Sequence, residues 1–283
     1  MKLSFIKPWT ELQPYIESFW LFESPTGLPA TESSMAAPNG CCKLTFAYGS
    51  SFVSVANGKT TIRPPERLNF VGSRDSPIVL QSTSRKIGCV GIEFCPHGAF
   101  PILGIPMGET FNVTEDADIV LGKWARDVQE NLNNLQSAVQ RVAFLQIRLV
   151  QLLRRNQSSN LLRRHQRGKD LVAYCVQALK SADGRISIRE LEQATGYTHR
   201  YLDSLFKQHV GLPPKALAGI YRFQRFYRKW ARGQSFDMLK HDLYDYYYDQ
   251  SHFTKEFKKM TGYTPREYTN EVSNELGRRL CLR

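Results

Sequence analysis

An internal repeat near the C-terminal end constrains this chain more than any other feature. Residues 196–217 read GYTHRYLDSLFKQHVGLPPKAL and residues 246–268 read YYYDQSHFTKEFKKMTGYTPREY. Leu202 matches Phe253, Phe206 matches Phe257, Lys207 matches Lys258, Gly211 matches Gly262 and Pro214 matches Pro265, each at an offset of 51 residues. Tyr197 and Tyr247 correspond at an offset of 50. Self-similarity at a fixed period marks one structural unit used twice.

Each copy reads as a capped helix. Thr198 and Asp249 offer a side-chain oxygen to the free amides of a first turn. Leu202, Leu205 and Phe206 in one copy, and Phe253 and Phe257 in the other, make the apolar face. Gly211 and Gly262 suit a left-handed helix end, and Pro214 and Pro265 suit the first turn of the next helix. Upstream, ISIRELEQAT (186–195) predicts a short helix capped by Ser187, with Glu190 completing a capping box. Gly196 makes the turn. Short helix, glycine turn and capped helix form a helix-turn-helix, which places the two units at 186–211 and 236–262. Between them, 214–232 has helical periodicity, with Leu217, Ile220, Tyr221 and Phe226 on its apolar side. It carries five basic residues from Arg222 to Arg232 and no acid. Such a linker helix would hold two recognition helices for successive major grooves, about 34 Å apart.

The charge distribution agrees. The net charge is +12. Residues 1–160 hold 15 Lys/Arg against 13 Asp/Glu, whereas residues 161–283 hold 23 against 13. A near-neutral half joined to a basic half fits a sensing or assembly domain joined to a polyanion binder. At 283 residues, with 42 % hydrophobic and 23 % charged, two globular domains are expected rather than disorder. No apolar run approaches the roughly 18 residues of a membrane span. The opening MKLSFIKPWTELQPYIESFW has a Trp, a Pro and two acids where a signal peptide has its apolar stretch. The expectation is a cytoplasmic chain with no membrane partner.

The fold class expected is α+β, in two domains. CCKLTFAY (41–48), SFVSVANGKTTIR (51–63), RLNFVG, PIVLQSTS and KIGCVGIEF read as short strands, with Asn57-Gly58 as a hairpin turn. They predict a small β-barrel or cupin-like domain with room for a ligand. Over 121–155 the period becomes helical, with Leu132, Leu135, Val139, Val142, Leu145, Leu149 and Leu152 on one face. That stripe packs on the domain's own strands or also serves a homodimer. The boundaries are then 1–155 for the N-terminal domain, 156–166 for a linker and 167–283 for an all-α DNA-binding domain.

Catalytic chemistry finds little support. Glu93, Cys95 and His97 alternate as strand residues would, but His97 is the only histidine before residue 160 and Pro96 breaks the strand. A metal-dependent barrel would draw on two or three histidines. None of the six cysteines forms a C-x-x-C pair, and no P-loop, G-x-G-x-x-G or G-x-S-x-G occurs. No metal, no cofactor and no enzyme activity are expected. The rival readings are a barrel oxidoreductase or a DNA-repair alkyltransferase fused to a DNA-binding domain, and a DNA-binding protein without an effector.

The residues 191–226 and 249–268 together resemble the DNA-binding domain of AraC/XylS-family transcriptional regulators. PYIESFW (14–20), the strand after APNG (37–40) and GIEFCPHGAF (91–100) more weakly resemble the sensor-like domain of one subgroup. The resemblance implies double-stranded promoter DNA and a small-molecule effector as partners, a homodimer, and RNA polymerase for an activator. The exposed N-terminal faces of the recognition helices offer His199, Arg200, Asp203 and Ser204, and Gln250, Ser251, His252 and Lys255, to bases. Arg200 suits a guanine edge and Gln250 an adenine. Thr198, Lys207, Arg222 and Lys258 suit phosphates. The sequence departs from the family pattern at Glu192 and Asp242, where a small residue is usual, and at Tyr246, where the turn glycine is usual. His241 and Asp245 also stand at apolar positions. The first helix of the second module is therefore expected to be shifted or re-packed on Leu239 and Leu243, and that module to grip DNA less tightly.

Overall fold

The structure is a computed structural model describing residues 1–29, 33–56, 58–82, 86–158, 166–233, 246–247, 249–272 and 274–282. The N-terminal domain is built on two antiparallel sheets. The larger contains β1 (Lys2–Ile6), β2 (Ile16–Ser24), β9 (Ile87–Phe94), β4 (Lys43–Tyr48), β7 (Leu68–Val71) and β10 (Thr114–Asp116), in that order. The smaller contains β3 (Met35–Ala36), β8 (Ile78–Ser82), β5 (Phe52–Ala56) and β6 (Lys59–Arg63). The expected β-rich domain is thus present as two facing sheets, and Phe22 of β2 meets Phe52 of β5 between them.

Every residue of β9 is buried. That is why IGCVGIEF reads as a near-continuous apolar run rather than an alternating one: both faces are covered. Gly91 is required there, because a Cβ would fall 1.9 Å from the Trp20 ring on the neighbouring strand. The outer face carries α1 (Ala99–Leu103), α2 (Ala117–Leu121), α3 (Lys123–Asn134) and α4 (Ala138–Gln157). The helical stripe over 121–155 is therefore broken rather than continuous. Leu135 is extended, and Ser137 opens α4 with a capping box completed by Gln140. Leu132, Val142, Leu145, Leu149 and Leu152 bury in the domain core, while Val139 is left 67 % exposed.

The C-terminal domain comprises α5 (Gln166–Ser181), α6 (Ile188–Thr195), α7 (His199–His209), α8 (Pro214–Ala231), α9 (Gln250–Thr261), α10 (Pro265–Glu271) and α11 (Glu275–Cys281). Of the linker expected at 156–166, residues 159–165 lie outside the described residues. So does 234–245, which holds the first helix expected for the second module and the positions Leu239, His241, Asp242, Leu243 and Asp245.

The two domains pack directly on each other. The ring of Phe100 on α1 meets that of the fully buried His209 at the end of α7, tilted by 41° with centroids 4.2 Å apart. Lys180 pairs with Glu17, and Lys259 with Asp75, each at 2.7 Å. Gln224 Nε2 donates to the Pro38 carbonyl at 2.6 Å. Leu276 of α11 lies in the same buried cluster as Phe22, Phe52 and Cys89 of the sheets.

Candidate nucleic-acid interface

The first module forms as its local chemistry dictates. Ser187 caps α6 and exchanges hydrogen bonds with Glu190. Gly196 ends the helix at φ +73, in the left-handed region where a side chain is strained. Thr198 then caps α7 by accepting from the Tyr201 amide. Glu192, the first departure from the family pattern, has a role here: its carboxylate accepts from the His199 amide and adds a second cap to α7. Leu202 and Phe206 are fully buried beneath.

In the second module Asp249 caps α9 by accepting from the His252 amide at 2.7 Å. Gly262 ends that helix at φ +87, and Pro265 starts α10. Linker helix α8 joins the modules through one aromatic core. Phe226 meets Phe253 at 4.8 Å and Phe223 meets Phe257 at 5.7 Å. The same cluster takes in Leu202 and Phe206, so neither recognition helix can turn without disturbing the other.

On α7, His199, Arg200 and Ser204 are exposed and Asp203 is half-buried. His199 Nε2 lies 3.3 Å from Asp203 Oδ2 one turn on. On α9, Gln250, Ser251, His252 and Lys255 are all exposed. His252 Nε2 lies 3.7 Å from Glu256. Lys207 and Lys258, one from each copy, are also exposed. Thr198 is exposed, with its hydroxyl committed to the cap.

Arg222 is placed differently from the other phosphate candidates. It donates to the Gly184 carbonyl at 2.9 Å and to Glu256 at 3.3 Å, with 18 % of its side chain exposed. It clips α8 to the turn between α5 and α6 and to α9. Arg225 pairs with Asp183. Arg185 and Arg225 both lie over the Tyr246 ring, at 5.1 and 5.2 Å. The tyrosine in place of the turn glycine is thus held by two guanidinium groups. Arg222, which the sequence offered to a phosphate, is thus engaged inside the domain together with Arg225.

Sequence reasoning missed one exposed feature. Tyr197 and Tyr201 stack at 4.9 Å at the N-terminal end of α7, each 43 % exposed. Their i, i+4 spacing is the signal that was available.

At the N-terminal candidates, Cys95 and His97 are not a reactive pair. Burial pushes the Cys95 thiol up to about 12 and holds His97 below its ordinary value. A nucleophilic thiol needs the opposite shift. Among the described residues no group of three metal-ligating side chains converges.

Helices α6 and α7 with the Gly196 turn between them form a helix-turn-helix, and the capped α9 shares one core with α7 through the connecting helix α8. Residues 191–271 match a helix-turn-helix domain family. Residues 4–116 match a domain of unknown function, DUF6597. The chain is 38 % identical over 86 residues to the F1 operon positive regulatory protein of Yersinia pestis. That match covers 29 % of this chain and 27 % of that protein. A crystal structure of ToxT from Vibrio cholerae aligns at 11 % identity and a TM-score of 0.45, over 89 % of this chain and 98 % of ToxT. Wild-type ToxT bound to an unsaturated fatty acid aligns at 11 % identity and a TM-score of 0.45, over 89 % and 96 %.

Proposed function

We propose that this protein is a sequence-specific DNA-binding transcription regulator whose output is set by a small molecule held in the N-terminal domain. The observation that carries the reading is the rigid pairing of α7 and α9 through the aromatic core of α8. Arg200, Ser204, Gln250 and Lys255 read bases, with the His199–Asp203 and His252–Glu256 pairs framing them. Lys207 and Lys258 hold phosphates. The likeness to a positive regulatory protein favours activation, which makes RNA polymerase a partner. A homodimer through the outer side of α4, where Val139 and Ile147 are exposed, belongs to the same proposal. The effector lies in a cavity of about 170 Å³ between the sheets, walled by Trp20, Phe22, Phe52 and Leu80. This function needs no catalytic residue.

The test is selection of genomic DNA fragments on the purified full chain, followed by binding isotherms on the enriched site. Specific binding that weakens steeply with salt is expected. Equal affinity for enriched and random fragments would overturn sequence-specific recognition.

A further inference from the structure

We propose that the cavity between the sheets takes a compact apolar molecule with one carboxylate head, and that α11 is the wall through which its presence reaches the DNA-reading helices. The inference rests on the regulator reading and names its ligand class and route.

The wall comes first. The cavity lies within the N-terminal domain, yet Leu276 and Leu280 of α11 line it. Any molecule filling the space between Phe22 and Phe52 therefore touches a helix of the DNA-binding domain. That helix is tied on both sides. Asn274, its cap, bonds both backbone groups of Met35, and Arg279 donates to the Met1 carbonyl at 3.2 Å. In the other direction, Arg278 donates to the Ala231 carbonyl at the end of α8, at 3.0 Å. Asn274 Nδ2 also donates to the Tyr268 hydroxyl at 2.9 Å, and Tyr268 and Tyr227 share a hydrogen bond of 2.7 Å. Tyr227 stands on α8 one turn beyond Phe223, which packs on α9. A push on Leu276 or Leu280 thus has a short path of buried contacts to the second recognition helix.

The lining sets the ligand. A dry cavity of about 150 Å³ accepts a benzene ring, so about 170 Å³ suits one ring or a short branched chain. Its walls are mostly apolar, but one end brings Arg63 and Arg74 together beside Thr114. Arg74 is only 6 % exposed and its Nε is buried without a hydrogen-bond partner among the described residues, whereas Arg63 already has Asp116 at 3.9 Å. A buried guanidinium with a spare donor is satisfied best by a charged acceptor.

The test uses the full chain with phenylacetate, 3-phenylpropionate and hexanoate, each beside its matching primary alcohol. Thermal midpoint and affinity for the selected DNA site are measured together. The acids should raise the midpoint more than the alcohols, and Arg74→Gln should erase that preference. Leu280→Trp, which fills the cavity from α11, should abolish the shift. The acids should also change DNA affinity by about fivefold or more. Asn274→Ala should keep the midpoint shift and lose the DNA response, with Arg278→Ala serving if the first variant fails to fold. No shift with any acid, or an undiminished shift in Leu280→Trp, would overturn the site. An intact DNA response in both uncoupling variants would overturn the route. In either case specific DNA binding by the unliganded chain leaves the regulator reading standing, whereas its absence strikes that reading alone.

Discussion

Asn274 and Met35 are hydrogen-bonded to each other twice, across 239 positions of sequence. Asn274 Nδ2 donates to the Met35 carbonyl at 2.9 Å, and its Oδ1 accepts from the Met35 amide at 3.1 Å. Met35 lies on β3, an edge strand of the smaller sheet. The side-chain amide therefore takes the place of a neighbouring strand and closes an edge that would otherwise be a template for pairing. Replacing Asn274 by Ala strands both groups and removes the cap of α11. Unfolding in urea should show a loss of about 1–3 kcal/mol. A change below about 0.5 kcal/mol, the range of ordinary surface substitutions, would mean that these bonds carry no weight.

Base reading and phosphate contact separate by their dependence on DNA sequence. Arg200→Ala should cost about 1–3 kcal/mol on the selected site and relax preference at one base pair. Lys258→Ala should weaken specific and random DNA alike and lower the salt slope by about one. Isotherms on both DNAs at several salt concentrations check the pair. Equal loss on both DNAs from Arg200→Ala would remove it from the reading face.

Glu192 tests whether a departure from the family pattern is functional or structural. Its carboxylate caps α7 through the His199 amide. Glu192→Ala should lower stability by about 1 kcal/mol. It also removes a negative charge beside the reading face, so affinity for random DNA at low salt should rise. Thermal denaturation and anisotropy on one preparation read both effects.

Asp75 gives a pH-dependent link between the domains. Burial pushes its carboxyl up, but hydrogen bonds from Lys259 and Asn112 outweigh this and hold it below its ordinary 3.8. A carboxylate depressed in the folded state contributes stability that is present above the unfolded value and lost as pH falls through the folded one. Wild type should therefore exceed Asp75→Asn by a constant margin near neutrality. The margin should narrow once the pH falls below about 3.8. Paired denaturation curves across acid pH measure it, and a margin unchanged down to full protonation would contradict the ion pair.

What the sequence made legible was local chemistry. Ser187, Thr198, Asp249, Gly196, Gly262 and the two prolines act within a few residues of themselves, so their roles can be read from spacing. Elements defined by distant partners were harder. β1 and β2 are stabilised by each other and by β9, and IESFWLFES carries no alternation to announce a strand. The stripe over 121–155 looked continuous because Leu135 keeps the period while leaving the helix. Arg222 belonged to a run of positive charge, and composition does not tell which side of α8 faces Gly184 and Glu256. Asn274 carried no signal at all, since its partners are a strand far upstream and two tyrosines buried beneath it.

The bond between Asn274 and Met35 also bears on the order of assembly. A ribosome releases β3 long before residue 274 has been joined to the chain. Throughout that interval the smaller sheet has a bare edge, and Phe22 and Phe52 lack Leu276 as a neighbour. The first domain to emerge is thus completed by a piece of the second. Residues 1–158 produced alone should self-associate through β3, and supplying the remainder of the chain in trans should restore a monodisperse species.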